Sequence, residues 1–204
     1  MSSLALSLVE GFKGRRSIYP LTNESTVSND RIEELISEAT LHSPSPFNTQ
    51  ASRVVVLLRN EHEKLWDLAG EIVSATVPAE QFEKLYKPRI AGFRAAYGTA
   101  LFYTDFAPFN VLGEKWPMLK EKFPEWADHA SGMHQLTVWT LLEAEGLGAN
   151  LQHYNPMIDV EVSKQWNVPK EWKLKAQLVF GKPSGPAREK TFEPIHERVF
   201  VYGK

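Results

Sequence analysis

Ser43-Pro44-Ser45-Pro46-Phe47-Asn48-Thr49-Gln50-Ala51-Ser52-Arg53-Val54-Val55-Val56-Leu57-Leu58 changes character halfway along. Two prolines and three hydroxyl residues in its first half forbid a helix and supply many hydrogen-bonding groups. The β-branched run that follows, Val54 to Leu58, reads as a buried strand. A polar loop that leads straight into a core strand is a place where ligand groups are commonly mounted, although a capping loop has the same composition.

Working outward, Ile32, Leu35, Ile36 and Ala39 lie on one face of a helix capped by Ser28 or Asp30. Before it, Leu4, Leu8 and Phe12 predict a helix over 3–13, with Gly14 as its stop. After the strand, periodicity predicts helices over 61–75 and 79–97, the second broken or bent at Pro88. Ala100 to Tyr103 reads as a short strand, Asp105 to Lys115 as loop, and Glu125 to Glu145 as the longest helix, ended by Gly146 and Gly148. Gly148 to His153 starts another strand, Pro156 to Trp166 is a short helical region, and Leu174, Ala176, Leu178 and Phe180 alternate as a strand. Glu197 to Tyr202 is the last strand candidate. Helices and strands interleave without repeats or linkers, which predicts one α+β domain over residues 1–204 built on a central sheet.

The chain of 204 residues carries 43% apolar residues and 11 Phe, 6 Trp and 6 Tyr, far too much buryable surface for a disordered tail. A net charge of −2 gives no global positive field for nucleic acid or an anionic membrane, so neither is expected as a partner. With no cysteine, disulfides, thiolate metal sites and Cys nucleophiles are excluded. Leu4 to Val9 lacks the layout of a secretory signal, and the uncharged stretch Ser131 to Leu142 is too short to span a bilayer. A cytoplasmic location is expected, with the nucleus as the alternative.

Gly146-Leu147-Gly148-Ala149-Asn150-Leu151 begins like a dinucleotide fingerprint, but it lacks the third glycine and follows a helix instead of opening one. No phosphate-loop, nucleophile-elbow or HExxH motif is present, and the six histidines show no metal-ligand spacing, so no metal is expected. Glu143 and Glu145 point to different helix faces and read as solvated surface. What survives is a set of polar segments at element ends. Arg15-Arg16-Ser17 offers two guanidiniums and a hydroxyl able to chelate a phosphate or a heterocycle edge, or it is a solvated helix terminus. Gly146 to Asn150 could present backbone N–H groups to a flat ligand, or simply stop a helix. Arg188-Glu189-Lys190 lies in a Pro/Gly-rich loop and reads by itself as solvent-exposed.

In this order, Arg15-Arg16-Ser17-Ile18, Ser45-Pro46-Phe47-Asn48-Thr49-Gln50-Ala51-Ser52-Arg53, Gly146 to Asn155, Gly181-Lys182-Pro183 and Glu189-Lys190-Thr191-Phe192-Glu193-Pro194 resemble the FMN-dependent nitroreductase superfamily. The resemblance is to the branch related to the fungal fatty-acid-repression-mutant nitroreductases. It implies an α+β fold with a central mixed or antiparallel sheet flanked by helices, in an intertwined homodimer. Each FMN would be lined by both chains, with NADH or NADPH as co-substrate and a small-molecule electron acceptor, nitroaromatic or quinone, using one open face by a ping-pong mechanism. Carried over by position, Arg15, Arg16 and Ser17 would hold the flavin, and Asn48 and Gln50, with Ser43 and Ser45 nearby, would meet the ribityl chain and ring edge. The Leu147-Gly148-Ala149 backbone and the Asn150 side chain would face the isoalloxazine, and Lys190 and Arg188 would reach the phosphate. The chemistry would sit on FMN, with no catalytic side chain. Phe47, Phe93, Tyr97 and Phe123 are candidates for an aromatic substrate lining, core packing being the other reading. Tyr19 and Thr191-Phe192 stand where many relatives carry basic residues. A flavin-binding redox or lipid-response sensor with little or no turnover would need the same contacts.

Overall fold

In the computed structural model, which describes residues 2–204, the chain runs α1 (Ser3–Gly14), β1 (Leu21–Thr22), α2 (Asn29–His42), β2 (Ser52–Leu58), α3 (Asn60–Thr76), α4 (Ala79–Gln81), α5 (Lys87–Arg94), β3 (Gly98–Asp105), α6 (Ala107–Lys115), α7 (Phe123–Ala144), β4 (Gly148–Gln152), α8 (Asp159–Gln165) and β5 (Trp172–Pro183). The five strands form one sheet in which every ladder is antiparallel. β3 pairs with β2 on one side and β5 on the other, and β4 and β1 both pair with β5. The α+β architecture implied by the resemblance, a central antiparallel sheet with helices, is what forms.

Helices cover both faces of the sheet, and strand alternation sorts the core between them. Leu57, Leu101 and Tyr103 pack on one side with residues of α3, α5 and α8, around Leu65, Trp66, Phe93 and Val162. Ala100 and Phe102 pack on the other with residues of α2 and α7, around Ile32, Ile36, Val138 and Leu142. In the β3–β5 ladder the register shifts between Phe102 and Tyr103 of β3, leaving Lys175 of β5 without a partner there. That extra residue puts Leu174 in the first core although Ala176, Leu178 and Phe180 belong to the second.

The Val54–Leu58 run is a strand, but an outer one: β2 is an edge, and its valines are only partly buried. Apolar side chains on both faces follow from helices above and below and do not require strands on both sides. Ser28 caps α2, its hydroxyl accepting from the Arg31 N–H at 3.2 Å. The helical pattern over 79–97 ends earlier, at Arg94, and is interrupted by a wide turn over Phe82–Tyr86. Pro88 has no N–H for the Lys84 carbonyl and would crowd it, and the widened turn just before the proline relieves both problems. Two expectations fail. Residues 107–115 form α6 instead of a loop, with Pro108 in its first turn, where a missing N–H costs nothing. Glu197 to Tyr202 is not a strand: Ile195–Glu197 makes a single tight turn, and the residues after it are exposed without regular structure.

Candidate functional site

After α1 the chain crosses the end of β4. Ser17 bridges Ala149 in parallel register, the Ile18 N–H donates to the Ala149 carbonyl at 2.9 Å, and the Asn150 amide donates to the Ile18 carbonyl at 2.9 Å. Arg15 lies over the Trp139 ring, 4.4 Å from its centroid. The Arg16 N–H donates to both carboxylate oxygens of Glu143, at 2.9 and 2.8 Å, and its guanidinium donates to the Arg188 carbonyl. Arg188 in turn stacks over Tyr19 at 5.0 Å. Arg15, Arg16, Ser17, Asn150 and Arg188 are therefore brought into one neighbourhood. A cavity of about 380 Å³ opens beside it, lined by Tyr19, Pro88, Arg89, Gly92, Phe93, Gln152 and Arg188. Arg89 and Gln152 escaped the sequence reading. Arg89 carries no motif, and its place in the cavity comes from the fold of 79–94 across the molecule. Lys190 is exposed further along the same loop, its ammonium 4.9 Å over the Phe192 ring.

The reading of Glu143 and Glu145 as solvated surface is corrected. Both are partly buried anchors. Glu143 holds Arg16, and burial raises its carboxyl to about 6 against the lowering pull of the Arg16 N–H and the two guanidiniums. Glu145 takes two bonds from Arg31 of α2, at 2.8 and 2.6 Å, and its carbonyl accepts from Thr26 Oγ1. Two residues apart they do face different ways, but each way meets another element. Gly146, at φ 83°, ends α7 in the left-handed conformation that favours glycine.

The backbone of Leu147, Gly148 and Ala149 is also placed differently from expectation. All three are buried. A Cβ on Gly148 would stand 2.9 Å from Leu21 Cδ2, 3.0 Å from Pro183 Cγ and 3.2 Å from Ile18 Cβ, so the space over this glycine is filled by the chain itself. The positions of this strand with accessible surface come later, at Leu151 and Gln152, followed by exposed His153.

Ser43, Ser45, Asn48 and Gln50 stand apart from this neighbourhood, beyond the β2 edge, around a cavity of about 720 Å³ between α2 and β2. β4 and β2 are separated by β5 and β3, three strand spacings or about 14 Å. The loop is under tension: Phe47, Asn48 and Gln50 have φ of 53°, 51° and 48°, which costs non-glycine residues energy and recurs at functional sites. Its conformation is pinned by Ser45 Oγ accepting from the Gln50 N–H at 3.0 Å. Arg53 adds a bond to the Gln50 carbonyl at 2.6 Å while pairing with Asp105 at 2.9 Å. Ser43 Oγ and Thr49 Oγ1 are buried without a partner within the chain.

The four aromatic candidates do not share a lining. Phe93 borders the cavity beside Arg188 while packing on Trp66, ring centroids 4.8 Å apart. Tyr97 is buried at a third cavity, where its hydroxyl donates to Asn29 Oδ1 at 2.5 Å. Phe123 is buried in a small core with Ala51, Phe109 and Ala127, and exposed Phe47 meets its ring edge at 6.2 Å. Among the described residues no group of three His, Asp or Glu could hold a metal ion, and no helix is long and apolar enough to cross a membrane.

The family described as Nitroreductase family matches residues 12–182. The chain is 36% identical over 190 residues to nitroreductase FRM2 of Saccharomyces cerevisiae, covering 92% of this chain and 93% of that protein. Among solved structures, nitroreductase CinD from Lactococcus lactis in complex with chloramphenicol superposes with a TM-score of 0.89 at 38% identity, covering 96% of this chain and 100% of that one. The same protein has been solved with 4-nitrophenol, at a TM-score of 0.87 and 40% identity, again covering 96% of this chain and 100% of that one.

Proposed function

The chain belongs to the nitroreductase family, and from that premise we propose that it is an FMN-dependent oxidoreductase. It takes electrons from NADH or NADPH and passes them to a nitroaromatic, a quinone or a related flat, electron-poor acceptor, the two substrates alternating at one open face. One observation carries this reading: Arg89, Arg188 and Gln152 border the same cavity as the rings of Tyr19 and Phe93. Cationic and amide donors beside an apolar wall fit a flavin nucleotide, whose ring needs the wall and whose phosphate and carbonyl edge need the donors. FMN supplies the two-electron chemistry when bound, so the chain needs no nucleophile or catalytic acid of its own.

The chain's part is binding and tuning. Arg15, Arg16 and Ser17, with Arg188 and Lys190, are assigned to the phosphate or pyrimidine end, where positive charge favours an electron-rich ring. Asn150 fixes the Arg15–Ile18 segment through the Ile18 carbonyl. The ring-facing backbone is assigned to Gln152 and His153, since Gly148 is covered. Ser43, Ser45, Asn48 and Gln50 complete the site from a second copy, because within one chain they stand at the far edge of the sheet.

A homodimer also explains the surface. Leu4, Leu8 and Phe12 of α1 and Met133 and Leu136 of α7 are exposed, as are Val199, Phe200, Val201 and Tyr202 in the tail. The tail residues are strand formers without a strand, and β2 is an edge without a neighbour. Exchange of tails between two copies matches one need to the other.

Purified protein reconstituted with FMN should be yellow and should oxidise NADPH steadily with 4-nitrophenol-type acceptors. Bleaching by NADPH without turnover would replace the enzyme by a redox sensor. A preparation that stays colourless after FMN is added would overturn the cofactor assignment.

A further inference from the structure

Trp139 and Glu143 lie four residues apart on α7 and so share one face of it. The segment leaving α1 is read off by that face residue by residue. Trp139 takes the Arg15 guanidinium against its ring, and Glu143 takes the backbone N–H of Arg16 with both oxygens. Arg16 then reaches the Arg188 carbonyl, and Arg188 covers Tyr19 at the cavity wall. A continuous series of contacts thus starts at one carboxylate and ends at the cavity.

We propose that Glu143 is a positioning residue: ionised, it holds the Arg15–Ser17 segment, and through Arg16 the Arg188 loop, in the arrangement that receives the flavin nucleotide. Cofactor retention therefore follows the protonation state of this carboxyl. The inference rests on the FMN reading above. A charge-assisted bond to a carboxylate is roughly twice as strong as one to a neutral acceptor, so protonation loosens the Arg16 backbone at its anchor to α7. The charged groups facing Glu143 are Arg15 and Arg16. On α2, Arg31 is committed to Glu34 and Glu145, and on α1, Lys13 to Glu10. Half-burial sets the carboxyl at about 6, so the ionised form dominates above that pH and is lost below it.

The test is FMN binding to the apoprotein, followed by quenching of flavin fluorescence at pH 7.5 and 5.5, in wild type and Glu143→Gln. At pH 7.5 the variant should bind about tenfold more weakly, since one neutral oxygen replaces a carboxylate. At pH 5.5, where about a quarter of the carboxyls remain ionised, the wild-type advantage should shrink to about threefold. Titration of the FMN phosphate and of the histidines is common to both proteins and cancels in the ratio. Equal affinities at both pH values, or tighter binding by Glu143→Gln, would overturn the proposal, the latter by showing that the charge opposes the phosphate more than it orders the loop. A second measurement needs neither FMN nor a variant: the Arg16 amide resonance of the apoprotein should move with a midpoint near pH 6, and a flat titration would overturn the proposal. If wild type takes up no FMN at either pH, the cofactor assignment fails, while the Arg16 amide still decides whether the carboxylate holds the segment.

Discussion

His62 and His134 show how the interior disposes of groups that sequence patterns leave ambiguous. His62 Nε2 stands 3.0 Å from the Phe93 carbonyl, which can only accept, so this nitrogen carries the proton. Nδ1 then accepts from the Thr99 hydroxyl at 2.8 Å, and that hydroxyl accepts from Trp66 Nε1 at 3.0 Å. The neutral ring is fully satisfied. His134 pairs with Thr40 Oγ1 at 3.0 Å and meets the Phe102 ring edge-on. The other four histidines are exposed. Burial pushes both buried rings down to about 4. Below the ordinary histidine value of about 6.5 the unfolded chain binds protons that the folded chain refuses. Their contribution to stability is complete above about pH 6.5 and is lost as the pH falls towards 4, by about 3 kcal/mol for each ring. Urea unfolding at pH 7 and pH 4.5 should show the midpoint fall. In His134→Gln, which removes one titrating ring, the fall should be smaller, and an unchanged pH slope would refute the assignment.

At the scale of elements, β4 packs closely against its neighbours. Gly148 lets it approach Leu21, Ile18 and Pro183 within a distance that no side chain permits. Gly148→Ala should cost about 1–3 kcal/mol through overpacking, read as a lower thermal midpoint by calorimetry, and an unchanged midpoint would show that the neighbours yield. Elements with a strong local pattern were legible in the sequence. The Ile32–Leu35–Ile36–Ala39 face and the Ser28 cap specify α2, and the Val54–Leu58 run specifies β2. Missed features are those decided by partners. α6 is hidden by Pro108 and by short polar spacing, and the edge position of β2 cannot be read from valines that are apolar on both faces. The covered backbone at Gly148 depends on β1 and β5, which arrive from distant parts of the chain. The same holds for the site: Arg15-Arg16-Ser17 was visible as a motif, whereas Glu143 and Arg89 matter only because folding brings them there.

For the molecule as a whole, the proposed homodimer would join groups that one chain holds apart across the sheet. The neighbourhood around Arg16 and the strained loop around Asn48 stand at opposite edges, and each edge lacks what the other holds. Removal of residues 191–204 should convert a dimer into a monomer, measured by light scattering after size exclusion, and should lower FMN occupancy in parallel. A truncated protein that remains dimeric would assign the interface to α1 and α7 alone.

α1 buries none of its residues within its own chain. It precedes the other described helices, yet in the proposed dimer it would be the last of them to find shelter, its apolar side being covered by a second polypeptide. Before such an encounter a newly made copy would offer exposed Leu4, Leu8 and Phe12 to chaperones and proteases. In that dimer the lifetime of the protein in a cell would rise with its own abundance, scarce copies being cleared before they meet and plentiful ones protecting each other.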